Sequence, residues 1–170
     1  MTPAFRIILG SFPLDFKWIA LTVVFLLPAS AFADRTWDGG GSTNNWSQPE
    51  NWTDNTVPVS SDLVIFDGTS TKPVTIDVPV DVSGIQITAG YTGTITQATG
   101  ANLTINAGGY SQAAGVFNGS AAGAVFGTGS VNTFTLAGGA FNAAGPVTMN
   151  ATLFSLSGGV FNGSVSTLAF

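Results

Sequence analysis

Tyr110-Ser-Gln-Ala-Ala-Gly-Val-Phe-Asn118, Phe134-Thr-Leu-Ala-Gly-Gly-Ala-Phe-Asn142 and Phe154-Ser-Leu-Ser-Gly-Gly-Val-Phe-Asn162 are three copies of one pattern. An aromatic opens each copy, small residues and glycine fill the middle, and Phe-Asn closes it. The closing Phe recurs at 117, 141 and 161, so the period is 24 and then 20 residues. A period of that size marks a solenoid, in which each repeat is one structural unit stacked on the next. No window keeps a helical period and glycine recurs too often for helix. The fold class expected is all-β: a single-stranded β-helix, or parallel β-solenoid, with a Trp-rich N-terminal cap.

Working outward, residues 82–170 are read as the repeats. Strand candidates are 84–88, 94–96, 103–106, 110–112, 116–118, 131–136, 140–142, 147–149, 153–156 and 160–162, separated by Gly-rich corners. Each turn then holds two or three strands, and successive turns stack about 4.7–4.9 Å apart. Tyr110, Phe134 and Phe154 are expected in one interior column, and Phe117, Phe141 and Phe161 in another. The Asn after each Phe is read as a corner residue that tolerates left-handed geometry and can form an amide ladder. An outward Asn or Thr array binding ice or glycan is the alternative, but the Thr spacing is irregular.

Charge is distributed very unevenly along the 170 residues. No Asp, Glu, Lys, Arg or His follows Asp81. From Asp34 onward there are eight acids against two bases, Arg35 and Lys72. This acidity disfavours nucleic acid and anionic membrane surfaces as partners. The chain has no Cys, hence no disulfide framework and no thiolate metal site. It has no His, the commonest general base and transition-metal ligand.

Residues 1–33 read as an export signal. Arg6 and Lys17 supply positive charge, 18–27 is apolar, and Pro28-Ala-Ser-Ala-Phe-Ala33 offers a small-x-small cleavage site. That run is too short to span about 30 Å of hydrocarbon. The expectation is a secreted or cell-surface protein with no membrane span in its mature segment.

Residues 34–81 form the lead-in. Trp37, Trp46 and Trp52 sit among turn formers, including Asp38-Gly-Gly-Gly41 and Asn44-Asn45. A solenoid's first turn has an open apolar end and an unpaired ladder, which three indoles suit as a cap. The other reading is a sugar-stacking platform on the same three residues. Asp62-Leu-Val-Ile-Phe-Asp67 reads as a buried strand. Lys72–Val82 alternates as a half-buried strand that Pro79 edges or splits. Asp38, Asp62 and Asp67 match no calcium-loop spacing and read as solvated turn acids. Asn-x-Ser/Thr triplets at Asn45, Asn51, Asn102, Asn118, Asn150 and Asn162 are glycan acceptors only in a host with that machinery.

Trp37-Asp-Gly-Gly-Gly, Asn45-Trp46, Asn51-Trp52, Val57-Pro58 and 62–67 together resemble the lead-in of large bacterial autotransporter-like surface proteins with β-strand repeats. Residues 85–96 are similar to the first repeat after such a lead-in, and the resemblance covers roughly residues 36–165. It implies an exported, adhesin-like rod at the cell outer membrane or beyond.

Polysaccharide chemistry needs paired carboxylates, or a base with a cation, at a defined separation. Only Asp62, Asp67, Asp77 and Asp81 near the first turn are available, and no spacing singles out a pair. No enzyme, no cofactor and no metal are expected. The partners expected are a glycan or another copy of the solenoid. Val165-Ser-Thr-Leu-Ala-Phe170 stops inside an apolar run, so further turns, or pairing of this end with another chain, are expected.

Overall fold

The computed structural model describes residues 34–126 and 132–163, and 165–168 for the backbone alone. The export signal read in 1–33 lies outside the described residues, as does Val131 at the start of one predicted strand.

Among the described residues, short runs with alternating apolar residues form fourteen strands. They are β1 (Asp34–Thr36), β2 (Leu63–Phe66), β3 (Val74–Ile76), β4 (Val80–Ile87), β5 (Thr94–Gln97), β6 (Leu103–Gln112) and β7 (Val116–Asn118). After them come β8 (Ala124–Phe126), β9 (Thr133–Leu136), β10 (Ala140–Asn142), β11 (Val147–Met149), β12 (Leu153–Leu156), β13 (Val160–Asn162) and β14 (Val165–Leu168). Every strand pairing is parallel. Each of β1 to β11 therefore pairs with a strand further along the chain, one turn on from β2 onward, which is the solenoid the repeats predict.

The coil has three faces. The first stacks β2, the second half of β4, the second half of β6, β9 and β12. The second stacks β3, β5, β7, β10 and β13. The third stacks the first halves of β4 and β6 with β8, β11 and β14. About four turns run from Leu63 to Met149, and β12 to β14 continue the coil. β4 and β6 each pass round the corner from the third face to the first without a break. There Ser83 alone lies opposite Asn106, Ala107 and Gly108, a shift in register. The two backbones come so close that a Cβ on Gly84 would stand 2.8 Å from the Gly108 carbonyl carbon. Only glycine fits such an approach.

The interior columns are those expected. Phe117, Phe141 and Phe161 stack with ring centroids 4.7 and 5.3 Å apart. Tyr110, Phe134 and Phe154 stack at 5.1 and 5.2 Å. These steps match the spacing of parallel strands, so each ring sits on its counterpart one turn away. Two buried glutamines brace the corners from within. The Gln112 side chain donates to the carbonyls of Ala114, Gly115 and Ala140 and accepts from the Tyr110 hydroxyl. The Gln97 amide spans two turns by donating to Ala101 O and Gly123 O.

The Asn residues form the expected ladder, Asn142 Nδ2 donating to Asn118 Oδ1 and Asn162 Nδ2 to Asn142 Oδ1, both at 2.8 Å. They do not supply the left-handed corner. They end their strands, and the left-handed residue is the glycine before each closing triplet, with φ of 67° at Gly115, 74° at Gly139 and 78° at Gly159. The reason is space as well as φ: a Cβ on Gly139 would lie 2.3 Å from Gly115 O. Pro79 splits its run, with Asp77-Val78-Pro79 forming a corner between β3 and β4. β8 has no counterpart among the expected strands, and β6 is ten residues long where two shorter strands are expected.

Candidate functional site

The Trp-rich lead-in is an imperfect extra turn laid beneath the first. β1 pairs with β2, placing Thr36 opposite Ile65 on the first face. On the second face Asn45 bridges Thr75 in parallel register: Thr75 N donates to Asn44 O and Trp46 N to Thr75 O. Register then carries Trp37 under Phe66 and Trp46 under Ile76, both interior positions. Past these strands the chain reverses through two short 3-10 turns, Pro49–Asn51 and Thr53–Asn55. Trp52 then bridges Trp37 in antiparallel sense. The edge beyond β1 is thereby occupied: Asp38 N and Gly39 N donate to Asn51 O, and Thr36 N to Thr53 Oγ1.

All three indoles are buried, at 0%, 1% and 0% exposure for Trp37, Trp46 and Trp52. Trp52 stands edge-on to Trp37 at 5.1 Å and to Trp46 at 4.6 Å, and all three meet Phe66. Trp52 Nε1 donates to Trp46 O at 2.7 Å, and Trp37 Nε1 to Lys72 O at 3.1 Å. The rings are therefore a plug. No indole face is left at the surface, so a sugar could stack on Trp37, Trp46 or Trp52 only after the cap had opened.

The glycines of Asp38-Gly-Gly-Gly41 are needed individually. Gly39 has φ of 64°, and a Cβ there would meet Ser70 Oγ at 2.7 Å. A Cβ on Gly40 would meet Glu50 O at 2.8 Å, and one on Gly41 the Gln48 amide carbon at 2.6 Å. Asn51, fully buried, accepts from Gly41 N and donates to Thr43 O and Asn45 O. Its amide is thus committed to bracing the loop and is inaccessible as a glycan acceptor.

No family model, curated protein or solved structure matches this chain. What the lead-in can do is therefore argued from its own chemistry. Five of the acids have separate local tasks. Asp38 accepts from Gly40 N, Asp67 from Thr69 N, and Asp77 from Ser47 N and Oγ. Asp81 accepts from Asn106 Nδ2 at 2.6 Å. Asp62 is not the solvated turn acid expected: it is 3% exposed, pairs with Arg35 Nε at 3.3 Å and accepts from Val59 N. It ties β1 to the corner that enters β2. Among the described residues no three His, Cys, Asp or Glu side chains gather where they could hold a metal ion.

Two tyrosines complete the interior. The Tyr91 hydroxyl donates to Lys72 O at 3.1 Å, and that of Tyr110 to Gln112 Oε1 at 2.7 Å. Burial raises both phenols above their ordinary range, because the phenolate would lose its hydration. Lys72, which the sequence marks only as a base at the start of a strand run, meets Trp37 and Tyr91 through its carbonyl and the cap loop through its ammonium. Its signal is modest: one of only two cations in a long acidic segment.

Proposed function

We propose that the chain is an exported structural, adhesin-like β-solenoid segment of a bacterial cell-surface or secreted protein, without catalytic activity. The observation that carries this reading is the continuous run of stacked aromatic columns beneath outer rows that carry no charge beyond Asp81. Such a rod supplies length and a repetitive surface, and its stability grows turn by turn. Support for export comes from the signal pattern of residues 1–33. Among the described residues no helix is long and apolar enough to cross a membrane.

The test is expression of the full chain in a Gram-negative host. The expected product begins at Asp34 by N-terminal sequencing and is reached by protease added to intact cells or is recovered from the medium. A cytoplasmic product with residues 1–33 intact would overturn the export reading. The purified protein is expected to leave plant and bacterial polysaccharides uncleaved. Turnover that survives repurification and disappears in Asp62→Asn or Asp67→Asn would make it an enzyme. The carbohydrate-module alternative predicts glycan-array binding lost on Trp→Ala substitution with the fold kept, and the burial of all three indoles counts against it.

A further inference from the structure

Lys72 reaches back into the loop that holds the three glycines. Its Nζ donates to Gly41 O at 2.7 Å, Gly39 O at 2.9 Å and Thr43 O at 3.4 Å. Alternate residues of the loop thus turn their carbonyls to one point, and an ammonium fills it with all three of its protons. Among the described residues the ion pairs belong to Arg35, and Lys72 takes carbonyls in place of a carboxylate. Gly39 lies against the lysine stem, where a Cβ would stand 3.0 Å from Cδ and 3.1 Å from Cβ of Lys72. The lysine carbonyl meanwhile holds Trp37 Nε1 and the Tyr91 hydroxyl.

We infer that the 39–43 loop is a binding site for a primary ammonium group, filled from within by Lys72, and that this occupancy latches the Trp cap onto the first turn. Three convergent carbonyls repel one another unless a cation with hydrogen-bond donors sits between them. Charge-assisted bonds of this kind are about twice as strong as neutral ones. A guanidinium is planar and broad, and presents its donors in a fork that three carbonyls around one point do not match. The site therefore selects a compact, tetrahedral N–H donor. Without it the loop releases the Asn44–Trp46 segment from β3, and the cap opens while the later turns stay closed. The latch stands whether or not the rod is exported.

Hydrogen exchange on the full chain tests this. Lys72→Met keeps the stem and removes the charge. In it the Trp46 and Thr75 amides are expected to exchange about tenfold to a hundredfold faster, with β7 and β10 unchanged. In Lys72→Gly, added ethylammonium is expected to slow the same amides, and tetramethylammonium, which has no N–H, is not. Unchanged exchange in Lys72→Met, or equal rescue by both cations, would overturn the site. Should both variants fail to fold, the unmodified protein decides by NMR. Scalar couplings from the Lys72 ammonium nitrogen to the Gly39 and Gly41 carbonyl carbons support the cage. A freely rotating ammonium without them sinks it.

Discussion

Phe141 lies between Phe117 and Phe161, fully buried, with Phe134 edge-on at 5.5 Å. Phe141→Ala removes the middle of a column that two neighbouring turns cannot close over. The expected loss is about 3–5 kcal/mol, read as a lower urea midpoint at constant slope. Phe161→Ala is expected to cost less, since that ring is only half-buried. Gly139→Ala meets two penalties, a positive φ and a carbonyl 2.3 Å from the new Cβ. It should lose more than about 1 kcal/mol, where an ordinary loop glycine would gain. The columns are legible in sequence because an aromatic opens and Phe-Asn closes every copy, whatever the spacing of 24 or 20 residues between copies. The division of labour between Gly and Asn is not, since both tolerate left-handed geometry. Only the carbonyls of the turn below make the side-chain-free residue obligatory.

The strands found by repetition are those on the first and second faces, where an aromatic or a Phe-Asn pair fixes the register. β8 has no expected counterpart because its aromatic, Phe126, neither opens the repeated pattern nor is followed by Asn, and the run sits in a Gly/Ala-rich context. The sequence predicts two strands, 103–106 and 110–112, in place of β6 because Ala107-Gly-Gly109 has the composition of a turn. It is a corner through which pairing continues on both sides. The cap was foreseen from its tryptophans, but its pairing was not, because Asn44-Asn45 has the composition of a turn. Its strand character comes from β3 beside it, which no local propensity encodes. Trp52→Ala removes the outermost part of the plug. It should lower stability by about 3–5 kcal/mol and red-shift the emission of Trp37 and Trp46 as water reaches them. Far-UV circular dichroism should keep its strand signal, because the turns beyond β3 pair without the cap.

From Val82 to Phe170 the only ordinary titrating side chains are Tyr91 and Tyr110. Both phenols are raised by burial in the folded state. Their contribution to stability is therefore complete below the unfolded value of about 10 and is lost as pH rises above it. The thermal midpoint should stay flat from neutral pH to the onset of tyrosine ionisation, then fall steeply. Tyrosinate absorbance should appear together with unfolding. Phenols ionising at about 10 in a protein that stays folded would contradict the packing described for both rings.

The amide ladder of Asn118, Asn142 and Asn162 runs in one sense, every amide donating toward the earlier turn. In the backbone ladder of a parallel sheet, strand dipoles largely cancel. The side-chain amides do not cancel; they add along the axis. The formal charges of the described residues all lie between Asp34 and Asp81, so they set the larger electrical asymmetry along the axis, and the asparagine ladder adds a small dipole beyond them. Two such rods lying side by side at low ionic strength keep their acidic ends apart by facing opposite ways, so charge favours antiparallel neighbours before any contact is made.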